Sequence, residues 1–160
     1  MIILVMGVAG AGKTTVGVLL AEELGWKFAD ADSYHSSENI KKMAAGIPLT
    51  DTDREPWLRV LGDAIRSWIA EGENVVLACS ALKESYRKAL LAGPEVKCVF
   101  LSGTFRVIEE RLRNRSGHYA GPGLLESQFQ ALEEPAEGVK VDVSASPADI
   151  VRQIRQKLAL

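Results

Sequence analysis

Apolar runs of strand length alternate with helical patterns along the whole chain. The first run, Ile2–Met6, precedes a helical pattern over Thr14–Leu24 that stops at Gly25, a typical C-cap residue. The predicted strands are Ile2–Met6, Trp26–Ala29, Asn74–Ala78, Val96–Leu101 and Gly138–Val143. Further predicted helices are Ser36–Ala45, Leu82–Leu91, Phe105–Arg115, Leu124–Leu132, Pro147–Leu158, and one that starts in TDTDREPW and ends at Gly72. In this last helix Thr52 and Glu55 have capping-box spacing, and Pro56 fits a first turn.

This alternation predicts an α/β fold. Strands that read as continuous apolar runs are typical of a parallel sheet covered by helices on both faces. The chain of 160 residues contains no repeat and no linker, which predicts a single domain over residues 1–160. Ligands of such sheets bind beyond the carboxyl ends of the strands, so the residues after each strand are the candidates for chemistry.

Composition narrows the class of protein. The net charge of −2 argues against a general nucleic-acid binder, and the two cysteines, Cys79 and Cys98, have no metal-binding spacing. Both thiols lie in apolar runs, which favours buried side chains in a reducing compartment. The first apolar stretch is too short for a signal peptide or a membrane span. We therefore expect a soluble cytoplasmic protein with no membrane or nucleic-acid partner.

The stretch GVAGAGKT, Gly7–Thr14, fits the pattern G-x-x-x-x-G-K-[ST] between a strand and a helix. Its glycines let backbone N–H groups curl around a phosphate, and the following helix points its positive end at the same place. Lys13 is expected to reach the outer phosphates, and Thr14 to place its hydroxyl on Mg²⁺. The alternative is a glycine-rich turn that only connects two elements. The context favours a site for a nucleoside triphosphate.

Two carboxylates follow the second strand, Asp30 and Asp32. In an extended segment both would face the same side, where one can bind Mg²⁺ through water and one can accept a proton from an attacking hydroxyl. Asp32 is the preferred candidate for the substrate side. No acidic residue ends the third strand, so the metal role falls to Asp30 or to water. The alternative is a pair of solvated aspartates that cap the next helix. His35 on the same loop is expected either to bond a polar substrate or to cap and pack.

Cations predict where an anionic substrate would bind. If the segment after the third strand is helical, Lys83, Tyr86 and Arg87 share one face. Arg54, together with Lys42, is expected to form an anion-binding end of the substrate pocket. The alternative for the first group is a solvated helix face.

Arginines near the end of the helix 105–115 predict a lid. Arg111 and Arg115 lie on one face, where they can stabilise charge on a transferring phosphoryl group. The glycines at 117, 121 and 123 would allow a segment of about 112–124 to close and exclude water. The alternative is a surface arginine cluster that favours the helix C-terminus.

Taken together, these motifs resemble those of the gluconokinases, small members of the shikimate kinase and nucleoside monophosphate kinase group. The resemblance covers most of the chain: MGVAGAGKT, DADSYHSSENIKKMAAGIPLTDTDREPWL, CSALKESYR, RLRNRSGHY and LLESQFQALEEP. The middle segment is the most specific and separates this family from shikimate and adenylate kinases. The family commonly opens with MGVSGSGK. Ala9 and Ala11 replace the serines here, at loop positions where the backbone makes the contacts.

The resemblance implies ATP- and Mg²⁺-dependent phosphorylation of D-gluconate to 6-phosphogluconate, a sheet of strand order 2-3-1-4-5, and a homodimer. In that order strand one separates Cys79 from Cys98 by two strand spacings, about 9–10 Å, which is too far for a disulfide. The implied catalytic residues are Lys13, Asp32, Arg111 and Arg115. The implied nucleotide-binding residues are Gly7, Val8, Ala9, Gly10, Ala11, Gly12, Lys13, Thr14, Thr15, Arg111, Val143 and Pro147. The expected substrate-binding set is Asp32, His35, Lys42, Arg54, Lys83, Arg87 and His118, within a helical segment of about 35–71 and the lid, and the metal set is Thr14 and Asp30.

Two other functions stay open at this point. One is a kinase of the same fold that acts on shikimate or on another sugar acid. The segment 39–58 argues against it, because this segment resembles the gluconokinases and not the shikimate kinases. The other is a nucleotide-binding regulatory module without a sugar substrate, which would need no ordered acid-and-arginine pocket.

Overall fold

The centre of the protein is a parallel sheet with the first strand in its middle. A computed structural model describes residues 1–114 and 122–160. The strands in these ranges are β1 (Ile2–Met6), β2 (Lys27–Asp30), β3 (Val75–Ala78), β4 (Val96–Ser102) and β5 (Val139–Asp142). They are all parallel, in the order β2-β3-β1-β4-β5, which confirms the predicted fold class and strand order.

Helices connect these strands and cover the sheet. They are α1 (Lys13–Leu24), α2 (Ser37–Ala44), α3 (Asp51–Ala70), α4 (Glu84–Leu90), α5 (Phe105–Asn114), α6 (Pro122–Ala131) and α7 (Pro147–Leu158). A short 3₁₀ helix, Ala31–Tyr34, follows β2 directly. Within the described ranges, none of the helices combines the length and apolarity needed to cross a bilayer.

Alternate residues of β1 divide between two hydrophobic cores. Ile3 and Val5 face the core shared with α1 and α7, whereas Ile2, Leu4 and Met6 face the core shared with α3. All five side chains are fully buried. Because neither face of β1 meets water, the strand is apolar throughout, as its sequence indicated. Its carboxyl end is therefore held firmly on both sides.

The N-terminus of α3 differs from the prediction. The helix begins at Asp51, with Thr50 as N-cap: the Thr50 hydroxyl accepts from the Asp53 N–H at 3.0 Å, and the Asp53 carboxylate accepts from the Thr50 N–H at 3.0 Å. The capping box predicted at Thr52 and Glu55 is wrong, and Pro56 lies in the second turn. The two candidate boxes overlap in sequence, and the earlier one is used.

Cys79, just after β3, and Cys98, in β4, are buried and not bonded to each other. The strand β1 lies between β3 and β4, which confirms the predicted separation. Burial raises the pKa of the Cys79 thiol to about 12 and that of Cys98 to about 11. Both sulfur atoms are thus neutral packing groups.

Candidate active site

A cavity of about 900 Å³ opens at the carboxyl ends of the central strands. Its wall includes the glycine-rich loop after β1, the 3₁₀ helix after β2, the start of α3, and parts of α5, α6 and α7. This is the edge where parallel sheets bind ligands. The cavity therefore gathers the segments in which the sequence predicted chemistry.

The glycine-rich loop has the shape of a phosphate loop. Gly12 caps α1 in the left-handed region, at φ 95°, and Gly10 has φ 80°. A Cβ on Gly10 would lie 2.7 Å from Leu112 Cγ of α5, so only glycine fits there. The predicted residues from Ala9 to Thr15 line the cavity, while Gly7 and Val8 are buried behind the loop. Lys13 donates from Nζ to the Val8 carbonyl at 3.0 Å, so its ammonium lies over the loop.

Asp30 and Asp32 both line the cavity, but not through an extended segment as predicted. Asp30 ends β2 and caps the 3₁₀ helix, because its Oδ1 accepts from the Asp32 N–H at 2.9 Å. The tight turn leaves Asp32 exposed on the cavity wall. Desolvation of the carboxylate by the surrounding cavity, followed by the nearby Asp30 charge, raises the pKa of Asp32 above its usual value, against opposing effects of His35 and Lys13. A carboxylate with a raised pKa is a stronger proton acceptor.

His35 is held by two contacts. Its ring stacks on Trp57, with centroids 4.3 Å apart and planes 12° apart. Asn39 Nδ2 lies 3.3 Å from His35 Nδ1, and the same Nδ2 donates to the Asp53 carbonyl at 2.8 Å. Burial, the largest effect, lowers the pKa of His35, so the ring is neutral at neutral pH. Because Nδ1 accepts from Asn39, we assign the ring proton to Nε2.

Arg54, in the first turn of α3, lines the cavity. Its Nη1 donates to the Leu49 carbonyl at 2.8 Å and to the Tyr86 hydroxyl at 3.2 Å. Lys42, predicted beside it, lies outside the cavity wall and pairs with Asp53 Oδ1 at 3.0 Å. Of this predicted pair, Arg54 lines the cavity and Lys42 does not.

Lys83 and Arg87 diverge from the shared helix face predicted for them. Lys83 is the N-cap of α4, and its Nζ donates to Asp51 at 3.1 Å. Arg87 is 1% exposed, and its guanidinium donates to the carbonyls of Ala81 at 2.7 Å and of Glu133 at 2.6 Å. It also donates to the Leu82 carbonyl and to Glu84. The structure places neither cation on the cavity wall.

Arg111, on α5, also lines the cavity. Its Nη2 donates to the carbonyl of Val143, and Arg111 and Pro147 both line the wall. The predicted nucleotide residues of α5 and of the β5–α7 loop are thus brought together. Arg115 and His118, and most of the predicted lid, lie outside the described residues.

A magnesium site fits the residues present. The predicted metal residues Thr14 and Asp30 line the same cavity, beside the phosphate loop. Within residues 1–114 and 122–160, no group of three or more His, Cys, Asp or Glu side chains is arranged to hold a metal ion. Mg²⁺ needs no such cluster, because it usually binds through one or two carboxylates, water and substrate phosphates.

Two residues that hold parts of the site were not predicted from the sequence. Asn39 is buried and contacts His35. It lies in the segment DADSYHSSENIKKMAAGIPLTDTDREPWL, where the sequence predicted no role for it. Gln128 of α6 accepts from the Ala9 N–H with its Oε1 at 2.6 Å. Gln128 and Gln130 are two residues apart in ESQFQ, and nothing local shows which one turns inward. Asn39 and Gln128 reach the site through contacts with residues that are distant in sequence or in another element.

A phosphate loop after the central strand of this sheet, facing acid and arginine side chains, defines a kinase of the P-loop class. The shikimate kinase family profile matches residues 9–159. The chain is 46% identical to a probable gluconokinase of Mus musculus, over 98% of this chain and 97% of that protein. It is 42% identical to the thermosensitive gluconokinase of Escherichia coli K12, over 96% of this chain and 84% of that protein. A crystal structure of a gluconokinase from Sinorhizobium meliloti superposes with a TM-score of 0.88 at 45% identity, covering 98% of this chain and 90% of that one.

On these matches, the chain belongs to the gluconokinase family within the shikimate kinase group, and it is an ATP-dependent carbohydrate kinase.

The buried position of Arg87 predicts a loss of stability when it is replaced. In Arg87→Met the buried carbonyls of Ala81 and Glu133 lose their donor, so the protein should lose at least about 2 kcal/mol. The melting temperature should fall by roughly 4–8 °C. Lys88→Met, at the exposed neighbouring position, is the matched control and should leave the melting temperature unchanged. An unchanged melting temperature with a raised KM for the sugar acid would contradict this structural role and would indicate that Arg87 binds the substrate.

Proposed function

We propose that the protein transfers the terminal phosphoryl group of ATP to the primary hydroxyl of D-gluconate and releases 6-phosphogluconate and ADP. The observation that carries this proposal is a single cavity with a phosphate loop on one wall and Asp32, His35 and Arg54 on another. D-gluconate has a hydroxyl at one end and a carboxylate at the other, which matches a carboxylate and an arginine in the pocket. The gluconokinase names of the relatives support this substrate.

On the nucleotide side, the chain binds and orients phosphates. The loop N–H groups and the N-terminus of α1 surround the anion, and Lys13 leaves the Val8 carbonyl for the outer phosphates. Arg111 binds from the side of α5, near the loop from Val143 to Pro147 that would hold the base. Thr14 and Asp30 would hold Mg²⁺, which neutralises charge on the phosphates when it is bound.

On the sugar side, the chain positions an acceptor hydroxyl. Asp32 accepts the hydroxyl proton as the oxygen attacks phosphorus, and the raised pKa of Asp32 suits this role. His35 donates from Nε2 to a neighbouring hydroxyl, while Arg54 binds the carboxylate with its guanidinium. The roles of Lys42, Lys83 and His118 in substrate binding and of Arg115 in catalysis stay predictions. The homodimer, the cytoplasmic location and the lid also stay predictions.

The proposal is tested first with the purified protein, Mg-ATP and D-gluconate. Formation of 6-phosphogluconate is followed as NADP reduction by added 6-phosphogluconate dehydrogenase, and ADP release is measured in parallel with shikimate and other aldonates. We expect gluconate-dependent turnover on the order of 1–100 s⁻¹, as in other kinases, and no turnover with Lys13→Ala. ADP release with another acid but not with gluconate would contradict the substrate. Release that no acid stimulates would favour the regulatory module.

The role of Asp32 predicts a pH dependence. Because the pKa of Asp32 is raised, its ionised form is lost at a higher pH than that of an aspartate fully surrounded by water. The kcat of the wild type should therefore fall on the acid side, starting above the usual aspartate range. In Asp32→Asn, kcat should no longer fall on the acid side of the pH profile (the acid limb). The kcat of this variant should also be lower than that of the wild type by about 10²-fold or more. Its melting temperature at neutral pH should be no lower than that of the wild type, since a carboxylate with a raised pKa weakens folding when ionised.

The matched control for this test is Asp63→Asn, at an exposed position of α3. This variant should keep both the kcat and the acid limb of the wild type. An Asp32→Asn enzyme that retains most of its turnover would remove Asp32 from the mechanism.

The position of Arg54 predicts a selective loss of substrate affinity. Arg54→Met should raise KM for D-gluconate by about 10-fold or more, because the carboxylate loses a charge-assisted partner. KM for ATP should change less than about 2-fold. Arg59→Met on the same helix, where the side chain is 71% exposed, is the control and should change neither constant. Equal increases in both KM values would indicate a distorted cavity rather than a lost contact.

A further inference from the structure

One contact joins the phosphate loop to a helix far along the chain. The Ala9 N–H donates to Oε1 of Gln128, 119 residues away, at 2.6 Å. Ala9 belongs to the glycine-rich loop, and Gln128 lies in α6. Both residues line the cavity, and Gln128 is half-buried there. The loop is thus fixed from outside by a carboxamide group.

This contact determines the orientation of the carboxamide. A backbone N–H can donate only to the oxygen of a glutamine side chain, so Oε1 must face Ala9. The Nε2 group, with two N–H donors, then lies on the other edge of the same planar amide. In the described part of the chain, Ala9 is the one hydrogen-bond partner found for this side chain. The two donors remain for a ligand of the cavity.

The location of this amide relates it to the outer phosphates. The Val8 carbonyl and the Ala9 N–H belong to one peptide group. Lys13 Nζ contacts this peptide at its oxygen, at 3.0 Å, and Gln128 contacts it at its nitrogen. The lysine of a phosphate loop serves the outer phosphates of the nucleotide. Gln128 and the lysine that serves those phosphates thus contact the two ends of the same loop peptide.

We propose that the Gln128 carboxamide nitrogen donates a hydrogen bond to the terminal phosphoryl group of the bound nucleoside triphosphate, while its oxygen holds the Ala9 peptide. This inference rests on the proposed function, because it requires a triphosphate in the cavity. When Lys13 leaves the Val8 carbonyl for the phosphates, Gln128 keeps the same peptide in place. The contact is made to the group that is transferred, so it is present with ATP and absent with ADP.

The test is a comparison of two nucleotides in the complete protein. Dissociation constants for a non-hydrolysable ATP analogue and for ADP, both with Mg²⁺, are measured by titration calorimetry. In Gln128→Met the constant for the ATP analogue should rise about 10-fold or more, since hydrogen bonds to charged groups are the strong ones. The constant for ADP should stay within about 2-fold of the wild type. Gln130→Met, at an exposed position of the same helix, should change neither.

A second variant separates the two edges of the amide. Gln128→Glu keeps the length of the side chain and an oxygen for the Ala9 N–H, but it replaces the donors with a negative charge. The proposal predicts weaker binding of the ATP analogue than in Gln128→Met. An affinity for the analogue equal to that of the wild type would mean that holding Ala9 is the whole role, and this would overturn the proposal. If Gln128→Met is unfolded, Gln128→Glu decides the question alone.

Other outcomes also overturn it. Equal losses for the analogue and ADP in Gln128→Met would place the effect in the loop as a whole, and no loss for either would exclude the contact. Neither titration contains a sugar acid. The role of Gln128 in binding the nucleotide can therefore be decided even if the protein does not phosphorylate gluconate. A wild-type protein that binds neither nucleotide would overturn both proposals, and this pattern differs from that of a lost Gln128 contact.

Discussion

The burial of β1 on both faces is the constraint on which the site depends. Its neighbours β3 and β4 bond to it on either side, and two separate cores cover it, so this strand cannot shift without disturbing the whole sheet. The phosphate loop begins where β1 ends. A loop that must hold several N–H groups in fixed directions therefore starts from the most restrained part of the molecule. Preorganisation of this kind is what phosphoryl transfer asks of a protein.

The other walls of the cavity are fixed by polar contacts rather than by the sheet. Thr50 and Asp53 set the start of α3, and the Asp53 carbonyl also holds Asn39, which in turn holds His35. Asp51 joins the start of α3 to α4, because it accepts hydrogen bonds from Tyr86 and Lys83. These hydrogen bonds, that of Tyr86 first, lower the pKa of Asp51. The cavity wall around His35 and Arg54 is thus a connected polar network, and changes in one member are expected to reach the others.

The fold and the phosphate side followed from the sequence, because their signals are local. A strand, a glycine-rich turn with a lysine, and a helix stand within the first 24 residues, and the apolar runs give the remaining strands. The other candidate site residues were harder to predict. Arg87 has the spacing of a surface cation, but α4 begins one residue after Lys83 and turns Arg87 into the core. Gln128 depends on a contact across 119 residues, which no periodicity encodes. Long-range packing decided these positions.

The two cysteines have a consequence for chemical work on the protein. Thiolates, not thiols, react with alkylating agents and oxidants, and both sulfur atoms are buried with pKa values far above neutral. Cys79 lies beside the cavity and still offers no nucleophile. Thiol-specific probes should therefore not label the native chain. In a variant with one cysteine introduced at an exposed position, a spectroscopic probe should label that cysteine and neither Cys79 nor Cys98.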